Sequence, residues 1–425
     1  MLRRRPLGFT LAAAAAFTLA GCTQAPTPAP GASETPTAAA GPAIHGYEFA
    51  GGMIEGAAGG GQLYTRVEGM VAIPAAPGPH PVAVLFHGSY PSCLDVPNER
   101  LFTNEVLTTP WPEGCGEQRV SSDEGINRGP DYLRTPASFA YLANALADKG
   151  VAVVVPDVNT KERLEWGGEP DHLALQSNLA ATHLALIDKL NSGDTLGLPW
   201  GADMKGAFDT SRIVLIGHSS GGQVAVDAAH ARSVPNVTAV VGIEPAFQVV
   251  ADRTGESVPT LVIHGECDEQ LGAEAMRTGI DDVAKANPDG VVLSALLPHA
   301  THIGTLFGGG DNTIGPVQPP STPGCTAEAL LPKPVQRAAI AQLTTDFVTQ
   351  ALAGSSSYTL HSVPGVQVTA RAETAKAQVT VGTVDTAPAD VAPQTEQYST
   401  STHQVLPPKP DSLVLHKPEE TDGDV

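Results

Sequence analysis

The chain has 425 residues, 42% of them hydrophobic and 16% charged, with 44 glycines and 37 prolines. That length admits two domains, or one large domain with tails, and the apolar fraction is enough for a sizeable core. A formal net charge of -21 argues against nucleic acid as a partner, because gripping its backbone needs lysine and arginine to displace counterions.

In chain order, Met1–Arg5 is a basic start, and Leu7 to Ala20 is an apolar run without charge. The run is short of the ~20 residues a membrane span needs and suits the core of an export signal. It closes in Leu19-Ala20-Gly21-Cys22, which resembles the bacterial lipobox. The resemblance implies a signal peptide over 1–21 and diacylation of Cys22. It also implies an extracytoplasmic protein held at the cell envelope or surface by acyl chains rather than by a spanning helix. Residues 22–43, rich in Pro, Thr and Ala, read as a flexible tether.

Residues 44–352 carry the periodic elements. Tyr64 to Pro74 alternates like an antiparallel strand, and Val82 to Phe86 is a continuous apolar run, as in a strand buried on both faces. A long Pro- and Gly-rich connection follows from Pro91 to Thr135, containing Cys93 and Cys115. A connection this long is functional, stapled or disordered. Pro136 to Lys149 has helical spacing and Gly150 ends it. Val151 to Val155 is a strand, Asp171 to Leu190 an amphipathic helix, and Ile213 to Ile216 another strand. Further strands are expected at Val237–Ile243, Thr260–His264 and Val291–Leu297, and a closing helix at Val335–Leu352. Strands alternating with helices imply parallel crossovers and an α/β fold.

The Ile213–Ile216 strand runs into Gly217-His218-Ser219-Ser220-Gly221, and Gln223 to His230 reads as a helix. Strand, sharp turn and helix is the context in which Gly-x-Ser-x-Gly presents a nucleophile. The chain resembles the α/β-hydrolases on four features: the His87-Gly88 strand end, this elbow, a strand ending in Gly265-Glu266-Cys267-Asp268, and a histidine after the last strand. The resemblance implies a mostly parallel central sheet with helices on both faces. It also implies a Ser-acid-His triad of Ser219, Asp268 and His302, with Glu244 and, more remotely, Glu266 as alternative acids and His299 as alternative base. The oxyanion donors would be the backbone N–H groups of Ser89, with Tyr90 in reserve, and of Ser220. His87 itself reads as a packed structural histidine.

The four remaining cysteines allow three connectivities. Spacing, and the gain from tying the acid loop to the base loop, favour Cys93–Cys115 and Cys267–Cys325. No Cys/His cluster has metal spacing and no phosphate loop is present, so neither metal nor cofactor is expected. The connection between Glu244 and Thr260 is too short for a large cap domain. An open site of this kind is similar to those of dienelactone hydrolases, platelet-activating-factor acetylhydrolases and cutinase-like polyester hydrolases. That likeness implies carboxylic ester cleavage through an acyl-serine, on a small ester, lipid or polyester, by a monomer. Thioester or amide cleavage by the same triad, and a non-enzymatic surface lipoprotein keeping the fold for binding, are the alternatives. Residues 353–425 form a Ser/Thr/Pro-rich acidic tail. Val366–Ala372 and Ala377–Val384 are expected as two short strands, either a hairpin or an added edge, with disorder from Pro388 onward.

Overall fold

A computed structural model describes residues 41–57, 61–88, 117–119, 132–158, 172–247, 257–307, 322–392 and 398–404. The signal, Cys22 and the tether up to residue 40, and the stretches that hold Cys93 and Cys115, lie outside these residues. Two long antiparallel strands, β1 (Ala43–Ala57) and β2 (Gly61–Ile73), come first, followed by β3 (His80–Phe86). A small antiparallel pair, β4 (Glu117–Arg119) and β5 (Tyr132–Arg134), precedes a 3₁₀ turn and helix α1 (Ala140–Asp148). Next come β6 (Ala152–Pro156), α2 (His172–Ser192), β7 (Phe208–His218), α3 (Ser220–His230) and β8 (Val237–Ile243). The order continues with β9 (Thr260–Gly265), α4 (Ala273–Ala286), β10 (Val292–Leu297) and α5 (Lys333–Leu352). Among the described residues four strands follow α5: β11 (Ser357–Ser362), β12 (Thr369–Ala372), β13 (Gln378–Thr383) and β14 (Tyr398–Gln404).

Ten strands make one sheet in the order β12-β10-β9-β8-β7-β3-β6-β2-β1-β14. From β6 to β10 every neighbouring pair is parallel. Antiparallel strands β2 and β12 flank that block. The apolar runs of the central strands serve two cores at once, because successive side chains point to opposite faces. Ala83, Leu85, Val153, Val155, Val214 and Ile216 face one core, shared with α1 and α5. Val82, Val84, Phe86, Ala152, Val154, Ile213 and Leu215 face the other, shared with α2 and α3. Helices therefore cover both faces, and uninterrupted Val/Ile/Leu runs are what such strands require. In this α/β-hydrolase fold no large cap domain intervenes between β8 and β9.

The tail meets expectation in part. The two segments do not pair as a hairpin: β12 is an added edge, antiparallel to β10, while β13 pairs parallel with β11. Residues 398–404, expected to be disordered, form β14 and pair parallel with β1 at the opposite edge. Alternation located β12 and β13, but it could not name their partners, which lie far away in sequence. Strands from both sides of the boundary expected at residue 352 thus share one sheet.

Candidate active site

Ser219 sits between the last residue of β7 and the first of α3, with φ 56° and ψ -127°. This backbone region is sparsely populated for an L-residue and costs on the order of 1–3 kcal/mol, so the surroundings must enforce it. Several hydrogen bonds do so. Ser219 N–H donates to Ile243 O at 3.0 Å, and Ser219 O accepts from Gln223 and Ala246 N–H at 3.1 and 3.0 Å. The flanking glycines are steric requirements. A Cβ on Gly217 would lie 2.0 Å from Gly221 O, and one on Gly221 would lie 2.4 Å from His87 O. The turn can be this tight only because both side chains are missing. Ser220 opens an eleven-residue helix, whose first N–H groups have no intrahelical partner and favour negative charge.

Asp268 lies in the turn after β9, where its Oδ1 accepts N–H bonds from Gln270 and Leu271 at 2.9 and 2.8 Å. Its Oδ2 is 2.9 Å from Nδ1 of His302, and both side chains are almost wholly buried. His302 follows β10 and is fixed at the backbone, its N–H donating to Glu269 Oε2 at 3.0 Å. Its Nε2 is buried and has no hydrogen-bond partner among the described residues. The imidazole ring stacks at a tilt on His218, next to Ser219 in sequence, with centroids 4.6 Å apart. The Cys267–Cys325 bridge is formed, with Cα atoms 5.5 Å apart, and ties the Asp268 turn to the segment beyond His302. A carboxylate on Nδ1 and an open Nε2 are what a general base needs: one nitrogen oriented, the other available for a proton.

Residues 134–302, the span holding Ser219, Asp268 and His302, match the model of the dienelactone hydrolase family. The match covers less than half of the chain, and the strand order and helix placement are those of the α/β-hydrolase fold. It is 29% identical over 139 residues to Cutinase 1 of Thermobifida cellulosilytica, covering 33% of this chain and 45% of that protein. The Cutinase of Thermobifida fusca (strain YX) and Cutinase est1 of Thermobifida alba are also 29% identical over 139 residues, each with 33% and 40% covered. The chain thus spans less than half the length of these curated relatives.

The other acid and base candidates occupy different places. Glu244, at the end of β8, is fully buried beside His302, with Oε2 3.9 Å from His302 Nδ1. Thr305 Oγ1 donates to that same oxygen at 2.9 Å. Burial, with the nearby Asp268 charge, pushes the Glu244 carboxyl well above the usual carboxylate range. His299 has a half-exposed side chain and pairs instead with Glu266: its N–H donates to Glu266 Oε2 at 3.2 Å. His87 is wholly buried, with Nδ1 2.8 Å from Gly88 O and Nε2 accepting the Val158 N–H at 2.8 Å. Two such bonds leave it one tautomer and a packing role. Ser89 and Tyr90 lie outside the described residues.

His218, Glu244 and His302 bring potential ligand atoms within 4.8 Å of one another. The donor set does not suit a cation. His218 Nε2 faces the His302 carbonyl oxygen at 3.2 Å, which can only accept, so that nitrogen carries a hydrogen. His218 links the other two, its Nε2 lying 3.2 Å from both Glu244 Oε2 and the His302 carbonyl oxygen. Sequence reading did not assign His218 to this group. As the variable second residue of the pentad it has no pattern of its own; only its burial against Glu244 shows it. Positive φ at Ser219, Glu244 and His299 places backbone strain at the ends of β7, β8 and β10, where strain commonly accompanies function.

Proposed function

We propose that this protein is a serine esterase, cleaving carboxylic esters through an acyl-Ser219 intermediate. The supporting observation is the buried His302–Asp268 pair at 2.9 Å with Nε2 left open, one ring away from a strained serine elbow. His302 Nε2 takes the Ser219 proton as Oγ attacks the carbonyl carbon, then returns it to the leaving alcohol. Water repeats the sequence to release the acid. Asp268 keeps the proton on Nδ1 and stabilises the imidazolium. The developing oxyanion is held by the N–H of Ser220 and, by the family resemblance, that of Ser89. Losing one such donor costs on the order of 10²–10³ in rate.

A small ester, lipid or polyester is the substrate class, supported by the resemblance to proteins named cutinase. We place the protein outside the cytoplasm on a lipidated Cys22, acting as a monomer; no helix among the described residues is long and apolar enough to cross a membrane.

A panel of p-nitrophenyl esters of graded acyl length, together with a serine-reactive phosphonate probe, tests this reading. Wild type hydrolyses the esters and is labelled, while Ser219→Ala loses at least ~10³ in kcat/KM and all labelling. Absent labelling of wild type, or equal labelling of Ser219→Ala, overturns the reading.

A further inference from the structure

The His302 imidazole has two carboxyl groups near one nitrogen, and a single triad uses only one. Asp268 Oδ2 is 2.9 Å from Nδ1, and Glu244 Oε2 is 3.9 Å from the same atom. Glu244 is anchored for this position. Oε2 accepts the Thr305 hydroxyl at 2.9 Å, and His218 Nε2, whose hydrogen it shares with the His302 carbonyl oxygen, lies 3.2 Å away. Both contacts fix the place of Oε2 as an acceptor. Oε1 is buried without a partner among the described residues.

We propose that Glu244 is a positioning residue for His302, a second carboxyl that steadies the imidazole and takes over as its acid when Asp268 is lost. The inference rests on the serine-esterase reading above. No proton passes to Glu244: the Ser219 proton goes to Nε2 of His302, and Nδ1 keeps its own.

The charged and titratable groups facing Glu244 explain why it is held in reserve. His218 faces it from the end of β7, His302 from the segment after β10, Asp268 and Glu269 from the turn after β9, and Tyr141 from α1. Asp268 and Glu269 both oppose a negative charge on Glu244, and burial opposes it more strongly. With Asp268 ionised, Glu244 therefore favours its neutral form. Removing Asp268 removes the larger of the two opposing charges, and Glu244 ionises at lower pH beside the same nitrogen.

Steady-state kinetics on a p-nitrophenyl ester between pH 6 and pH 9 tests this with Asp268→Ala, Glu244→Gln and the double variant, each first checked for a cooperative thermal transition and for phosphonate labelling. Glu244→Gln alone lowers kcat/KM by roughly 3- to 10-fold. Asp268→Ala lowers it by on the order of 10²–10³, short of the ~10⁴ typical when a triad carboxylate is lost without a substitute. The double variant falls a further ~10- to 100-fold, and the ratio of single to double rises with pH as Glu244 ionises. A double variant no slower than Asp268→Ala overturns the proposal. So does a Glu244→Gln loss as large as that of Asp268→Ala, which would make Glu244 the primary acid. Should Glu244→Gln fail to fold, the pH profile of Asp268→Ala decides alone: an alkaline-rising limb absent from wild type supports the proposal, and a profile parallel to wild type overturns it. An inactive, unlabelled wild type would instead sink the esterase reading, so the two failures are distinct.

Discussion

Gly217 shows how a side chain that is not there can position one that is. A methyl group there would sit 2.0 Å from a backbone oxygen, and that oxygen cannot move without shifting the start of α3. Gly217→Ala should therefore cost ~1–3 kcal/mol by overpacking. On the proposed mechanism it should also lose about 10²-fold in kcat, because an ångström of misplacement at a nucleophile is expensive. Denaturation and ester kinetics on the same preparation separate the two losses, and an unchanged kcat would contradict the role given to the turn. A second residue bears on pH. His183 is fully buried with Nδ1 2.5 Å from the Tyr47 hydroxyl, and burial depresses it from its ordinary 6.5 to about 3. Above pH 6.5 both folded and unfolded forms are neutral there. As pH falls from 6.5 toward 3 only the unfolded form gains the proton, so stability is lost across that window, on the order of a few kcal/mol. His183→Gln should flatten the fall of unfolding free energy between pH 6.5 and pH 4; parallel curves would refute it. The sharp turn at Ser219 and the pairing of Asp268 with His302 were legible in sequence, because motif and chain order name those residues. The burial of Glu244 and His183 was not, since neither lies in a pattern that fixes what surrounds it.

Among the elements, those that strand and helix periods reveal came out within a few residues: β8 was expected at 237–243 and spans Val237–Ile243. Helix α4 was missed. Its buried face is Met276, Gly279, Ile280 and Val283, a sound helical spacing but a thin apolar stripe among charges. The disulfide belongs to this scale, since it joins the turn before α4 to the segment before α5. Closing a loop with a sequence separation of 58 is worth about 4 kcal/mol on chain-entropy grounds. The paired change Cys267→Ser/Cys325→Ser should lower unfolding free energy by about that amount. Because Cys267 adjoins Asp268, it should also reduce kcat/KM more than KM alone explains. Equal denaturation midpoints for the variant and the oxidised wild type would show that the bridge does not constrain these loops.

At the level of the whole molecule, the residues after α5 complete both sheet edges and also reach the active-site side. Arg337 of α5 is 1% exposed at its side chain and forms a bidentate pair with Asp390, Nε to Oδ1 and Nη2 to Oδ2, both 2.8 Å. Its Nη1 donates to Leu306 O at 3.1 Å, and its guanidinium lies 3.7 Å over the Phe307 ring. Leu306 comes directly after the turn that follows His302. The tail thus neutralises a buried cation that itself braces the base loop. Composition hid this, because a Ser/Thr/Pro-rich stretch with acids looks solvated whether or not one acid meets a buried arginine. Replacing Asp390 with alanine leaves that charge uncompensated in the interior, a change that typically costs ~3–5 kcal/mol. Asp390→Ala should therefore lose stability of that order in urea denaturation. Asp390→Asn, which retains an acceptor oxygen, should lose less. On the proposed function, ester hydrolysis should decline with the loosening of the His302 loop, before global unfolding. If Asp390→Ala instead unfolds at the wild-type urea concentration, the tail is ornament to the catalytic sheet and not part of it.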